Sequence, residues 1–240
     1  MSTNLIPGSQ PVADLDRPLY APIKRRSFFM YAGATAGATA LVLAGCSKND
    51  STPGMVNVGT GDAGVLNYAY ALEQLEAGFY TMVRSGAYYT GLGSGSAEKL
   101  ILDDLYYHEV IHRDFLKAAI TAAGATPIQA LTPNFSSINF GDRLSVLNTA
   151  KAFEDLGVAA YNGAGQYITN PGYLFIAGKI VSVEARHAAI IRDLTAENSF
   201  VGSDIFSSNS MEASKTPSTV AATANMYLAD GSKIDVSSIM

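Results

Sequence analysis

The chain has 240 residues, of which 48% are hydrophobic and 15% charged, with a formal net charge of −5. That length can bury the core of one globular domain with appendages. The acidic balance excludes ordinary nucleic-acid binding, which needs a basic surface to displace counterions from phosphate. A single cysteine excludes an internal disulfide framework and any cysteine-rich metal site.

Residues 1–23 are polar and contain several prolines, with no apolar periodicity. Lys24-Arg25-Arg26-Ser27-Phe28-Phe29 then leads into an apolar run from Met30 to Leu43, closed by Leu43-Ala44-Gly45-Cys46. A basic start, a short apolar run and a small-residue end describe a secretory signal. The run falls short of the roughly 20 residues a membrane-spanning helix requires, which weakens the competing reading of a plain membrane anchor. The paired arginines resemble a twin-arginine export signal, and Leu-Ala-Gly-Cys resembles a bacterial lipobox, whose cysteine becomes the lipid-bearing first residue. The lone cysteine lies where a lipobox requires it. Residues 1–45 are therefore assigned to a signal and 46–60 to a polar tether, which leaves 12 basic and 19 acidic residues after the signal. The expectation is an exported protein on the periplasmic or cell-surface side of the envelope, held to the membrane by lipid at Cys46.

Asp62 is a plausible N-cap for a first helix, with Leu66, Tyr70, Ala77 and Tyr80 in helical phase and an end near Ser85-Gly86. Residues 88–96, rich in Gly, Ser and Tyr, read as a loop. A second helix opens near Ser96, carries Ile101, Leu105, Leu116 and Ala119 on one stripe, and stops at Gly124. Pro127, Pro133 and Gly141 mark residues 124–142 as an irregular connection. A third helix begins near Asp142, with Leu147, Ala150, Tyr161 and Ala164 in phase, and Asn170-Pro171-Gly172 breaks it. The fourth runs from about Tyr173 to Ala196, with Ile180, Ile191 and Leu194 in phase. No segment alternates at period two over a useful length. The predicted fold class is all-α: a four-helix bundle over 61–197 with one long crossover between helices 2 and 3. Residues 198–240 form a Ser/Thr-rich C-terminal extension, left as either wrapped on the bundle or mobile.

Polar residues occupy the very stripes that should face the core. Glu73 shares a stripe with Leu66, Tyr70 and Tyr80; Glu109 and His112 lie between Leu105 and Leu116. Glu154 lies between Ala150 and Tyr161, and Glu184 and His187 between Ile180 and Ile191. A residue three positions on returns to the same helix face, so each Glu-x-x-His points both groups inward. Four ionised carboxylates in an apolar bundle repel one another and lose their hydration unless cations join them. No lysine or arginine lies on those stripes. Two divalent ions would supply the charge, in the pattern of one Glu from each of two helices and Glu-x-x-His from the other two. By chance a histidine in this chain would have a glutamate three residues before it about 3% of the time, yet two of three do.

An internal repeat orders the site further. Ala71-Leu72-Glu73-Gln74-Leu75 with Tyr80 parallels Ala152-Phe153-Glu154-Asp155-Leu156 with Tyr161. A bundle made of two copies of a helix pair has a pseudo-twofold axis. Glu76 competes with Glu73 as the first helix's ligand, but its counterpart is Gly157, which has no side chain; Glu73 is preferred and Glu76 kept beside the site. Tyr80 and Tyr161 are candidate donors that orient the carboxylates. His108-Glu109-Val110-Ile111-His112 also matches the zinc-protease helix H-E-x-x-H, but Val183 stands where the second copy would need a histidine. His108 is placed beside the site or at the surface.

The segments 72–80 and 153–161 resemble exported bacterial ferritin-like domain proteins, a group similar to plant desiccation-related proteins. The resemblance covers about residues 60–197 and implies a ferritin-like fold with a dinuclear centre at Glu73, Glu109, His112, Glu154, Glu184 and His187. Carboxylates with one imidazole per ion suit iron or manganese. The leading expectation is redox chemistry with oxygen or peroxide, of oxidase, peroxidase or catalase type. The alternative is a non-catalytic, stress-protective envelope protein with a structural or vestigial metal site. Fold alone does not choose the reaction, and an oligomer is compatible with the pattern.

Overall fold

The helical rhythm that begins near Asp62 forms α1 (Gly61–Ser85) in the computed structural model of the chain, which describes residues 52–206 and 211–239. The signal segment 1–45, Cys46 and the first part of the tether lie outside the described residues. So does the stretch 207–210 of the tail. Sixteen of the 25 residues of α1 are buried, on every side of the helix, which marks it as the central element. The N-cap position belongs to Thr60 and not to Asp62. Asp62 lies in the first turn and accepts hydrogen bonds from the backbone of Thr169 (2.7 Å) and Asn170 (2.9 Å), tying the start of α1 to the turn before the last bundle helix.

The predicted loop at 88–96 contains a five-residue helix, α2 (Ala87–Gly91). Its composition suits a loop, but tertiary bonds hold the turn: Tyr89 donates to Asp103 at 2.7 Å, and Lys99 Nζ donates to the carbonyls of Tyr89 and Leu92. α3 (Ala97–Ala122) starts as expected, with the Ser96 hydroxyl accepting from the backbone N–H of Lys99. α4 (Arg143–Ala164) is capped by Asp142, whose carboxylate accepts from Ser145 N at 2.7 Å. It ends at Ala164 and passes into a tight turn over Gly165–Tyr167, earlier than the predicted break at 170. α5 (Pro171–Thr195) begins two residues before the predicted start. Asn170 caps it and Pro171 occupies its first position, where a missing N–H does no harm.

α1 packs chiefly on α3, and α4 on α5, so the bundle is two helix pairs joined by the long irregular crossover. Two polar side chains of α1, seven residues apart, hold that crossover. Asn67 accepts from Ile128 N (2.9 Å) and donates to the Thr126 carbonyl; Gln74 accepts from Leu131 N (2.9 Å). Phe79, at the centre of the core, meets Phe135 and Phe140 of the crossover and Phe153 of α4.

The C-terminal extension is packed where it is described. Lys215 N donates to the Ala159 carbonyl of α4, and α6 (Pro217–Ala224) buries Val220, Ala221 and Ala224. Gly163 permits this approach, since a Cβ there would overlap the carbonyl of Lys215. Beyond α6, β2 (Ile234–Asp235) pairs in parallel with β1 (Val56–Asn57). The presumed tether is therefore bound in from Thr52, whose N–H donates to Asp235. Arg192 of α5 clamps Asp155 of α4 and Asp204 of the tail with paired hydrogen bonds of 2.7–3.0 Å.

Candidate metal centre

Each bundle helix turns one glutamate into the middle of the molecule. Glu73 on α1, Glu109 on α3, Glu154 on α4 and Glu184 on α5 all have no exposed surface, and His187 is 5% exposed. The i, i+3 spacing places His112 and His187 over their own helix's glutamate. His112 Nδ1 lies 2.7 Å from Glu184 and 3.6 Å from both Glu73 and Glu109. His187 Nδ1 lies 2.8 Å from Glu109, 3.4 Å from Glu154 and 3.5 Å from Glu184.

Two groups of possible ligands follow, each with one donor atom per residue and all of those atoms within 4.8 Å of one another. One is Glu73, Glu109, His112 and Glu184; the other is Glu109, Glu154, Glu184 and His187. Glu109 and Glu184 belong to both. Two tyrosines complete the frame by crossing between the helix pairs: Tyr80 of α1 donates to Glu154, and Tyr161 of α4 donates to Glu73, both at 2.5 Å. The exchange is reciprocal, as the internal repeat requires.

These close approaches lack hydrogen-bond geometry. Nδ1 of both histidines, both oxygens of Glu109 and Glu184, and Oε2 of Glu73 and Glu154 are buried without a hydrogen-bond partner. Burying a polar atom unpaired is expensive, so such atoms are paired in almost every folded protein. Here they converge on common points and form a donor set that could hold metal ions.

With no cation bound, the same cluster must hold protons. Burial, then the charge of Glu184, pushes Glu109 well above the ordinary carboxylate range. Burial likewise raises Glu76 and Glu154. Burial would raise Glu184 too, but the adjoining His112 and His187 outweigh it and hold that carboxyl down, at about 2. Burial opposes charge on His112, yet Glu109, Glu184 and Glu73 lift it to about 12; His187 is raised as well, chiefly by Glu154. Burial, followed by the adjacent carboxylate, raises Tyr80 and Tyr161 and keeps them as O–H donors.

Glu76 enters neither group. It is buried against α4, with Oε1 occupying the space above Gly157, where a Cβ would come within 3.0 Å of it. The glycine that lacked a ligand in the sequence thus makes room for its own repeat partner. A small cavity of about 10 Å³ adjoins Glu76, Leu72 and Phe153. A larger apolar one, about 30 Å³, is lined by Tyr161, Tyr68, Leu72, Leu116 and Ile180, among others. His108 also stays outside both groups: its Nδ1 lies 2.8 Å from His187 Nε2. The zinc-protease arrangement finds no support in these groups, since neither of them contains His108. Sequence reasoning left the His108 contact undefined, since the two residues are 79 positions apart.

A family model described as a ferritin-like domain matches residues 61–197, more than half of the chain. No curated protein matches it.

Proposed function

The chain belongs to the ferritin-like domain family, and from that premise we propose that it binds two divalent ions, iron or manganese, and uses them in redox chemistry with oxygen or peroxide. The observation that carries this reading is the pair of four-residue ligand groups sharing Glu109 and Glu184, with their donor atoms buried and unpaired. Carboxylate and imidazole donors favour iron or manganese over soft-ligand metals. Glu73 and His112 would help hold one ion and Glu154 and His187 the other, with Glu109 and Glu184 common to both groups. Ions bound there supply Lewis acidity and a change of oxidation state.

The chain's own residues do the rest. Tyr80 and Tyr161 fix one oxygen of each terminal carboxylate, leaving Oε2 of Glu154 and of Glu73 free for the ion. The apolar cavity behind Tyr161 is large enough for about one or two small molecules and has few polar partners for water. Its apolar lining suits a small oxidant. Elemental analysis of the purified mature protein should find about two ions per chain, as the ligand pattern requires. Peroxide or oxygen added to the loaded protein should change its spectrum. Fewer than about one ion per chain would defeat the dinuclear reading. A loaded protein inert to both oxidants would leave a structural staple instead.

We also assign the protein to the cell envelope, exported by the signal at 1–45 and anchored by lipid at Cys46. Replacing Cys46 by alanine should move it from the membrane fraction to the soluble exported fraction; unchanged partition would exclude the lipid anchor.

A further inference from the structure

We infer that His108 makes the two metal positions unequal, so that the ion held by His187 and Glu154 is bound more tightly than the ion held by His112 and Glu73. The inference rests on the two-ion reading above. It comes from a break in the internal symmetry. α3 and α5 are equivalent in the repeat, and Glu109 and His112 correspond to Glu184 and His187. The residue before each glutamate differs: His108 on α3, Val183 on α5.

That difference falls on one ligand only. His108 Nδ1 lies 2.8 Å from His187 Nε2, and the two ring planes differ by 26°. The other nitrogen of His187, Nδ1, faces Glu109, Glu154 and Glu184. A histidine that gives its Nδ1 lone pair to a metal carries its hydrogen on Nε2, and that N–H needs an acceptor to hold the ring in place. His108 Nδ1 is that acceptor. Under the pseudo-twofold the matching residue beside His112 is Val183, which has no polar group. Among the described residues no protein group bonds His112 Nε2, and the His112 side chain is 12% exposed against 6% for His187. One imidazole has a protein acceptor for its outer nitrogen; the other has none among the described residues. His108 is a positioning residue, acting through His187.

Removal of such an outer partner weakens metal affinity about 10–100-fold. The test is a titration of the metal-free mature protein with Mn²⁺ against a competing chelator, read as two stepwise dissociation constants. The wild type should show two constants at least about 10-fold apart. His108→Phe, which keeps a ring but no acceptor, should weaken the tighter step by about 10–100-fold and leave the other unchanged. His108→Asn, whose carboxamide oxygen can accept the same hydrogen bond, should restore most of the loss. Val183→His should tighten the weaker step. Equal constants in the wild type, or an unchanged tighter step in His108→Phe, would overturn the inference while leaving the two-ion reading intact. Failure to bind Mn²⁺ at all would overturn both.

Discussion

Raising the pH of the metal-free protein from about 5 to about 8 should destabilise it progressively, the reverse of what carboxylate-rich proteins usually do. The sign follows from which state holds the protons. Glu76, Glu109 and Glu154 are raised in the native state, so they stay protonated where the unfolded chain has already released its protons. Their contribution is complete below the ordinary glutamate value and lost as pH rises through the native one. His112 and His187 are raised too, so their contribution is complete below about 6.5 and declines above it. Glu184, held at about 2, works oppositely, but its contribution is lost only as pH falls toward that value. Each carboxyl proton that the native state keeps and the unfolded chain has released removes about 1.4 kcal/mol per pH unit, so several such groups remove on the order of a few kcal/mol for each unit of pH. That is comparable with the net stability of a whole domain, about 5–15 kcal/mol. At roughly 2–4 °C per kcal/mol for a chain of this size, the melting temperature should drop by about 10–20 °C. Loading with Mn²⁺ replaces the protons by cations, so the loaded protein should melt at nearly constant temperature over the same range and release protons on loading. The assay is a set of thermal melts, chelator-treated and Mn²⁺-loaded, at four pH values. A metal-free protein equally stable at about pH 8 and about pH 5 would refute the reasoning, because burial of four carboxylates would then carry no proton linkage.

Other outcomes follow from single contacts. Tyr80→Phe and Tyr161→Phe each strip a donor from a terminal carboxylate and should each weaken Mn²⁺ retention by about 10–100-fold in a chelator competition. Glu73→Gln should lose one ion per chain, whereas Glu76→Gln should keep both and, by relieving a buried acid, raise the melting temperature of the metal-free protein at neutral pH. Gly163→Val should destabilise the fold by more than about 3 kcal/mol, seen in the urea midpoint, because its side chain drives the Lys215 backbone off α4. Limited proteolysis of that variant should cut after residue 198 before it cuts the bundle.

The four long helices and the inward placement of Glu73, Glu109, His112, Glu154, Glu184 and His187 were legible in the sequence. Both rest on helical periodicity, which is local, and the repeat between α1 and α4 favoured Glu73 over Glu76 without any coordinates. The five-residue α2 was missed because it depends on contacts outside its own segment, such as Tyr89 with Asp103; the cap at Asn170 is local, accepting from Gly172 N, and Asn170-Pro171-Gly172 was read only as a break. The tail could not be placed at all from composition: its Ser- and Thr-rich character says nothing of Gly163 admitting Lys215 or of β2 finding β1. Tertiary structure alone decided that Tyr80 and Tyr161 cross to the opposite helix pair, that Glu76 fills the space of Gly157, and that His108 meets His187. Periodicity tells which face of a helix a residue occupies. Which neighbour that face meets is set by how the two helix pairs dock, and no run of sequence records it.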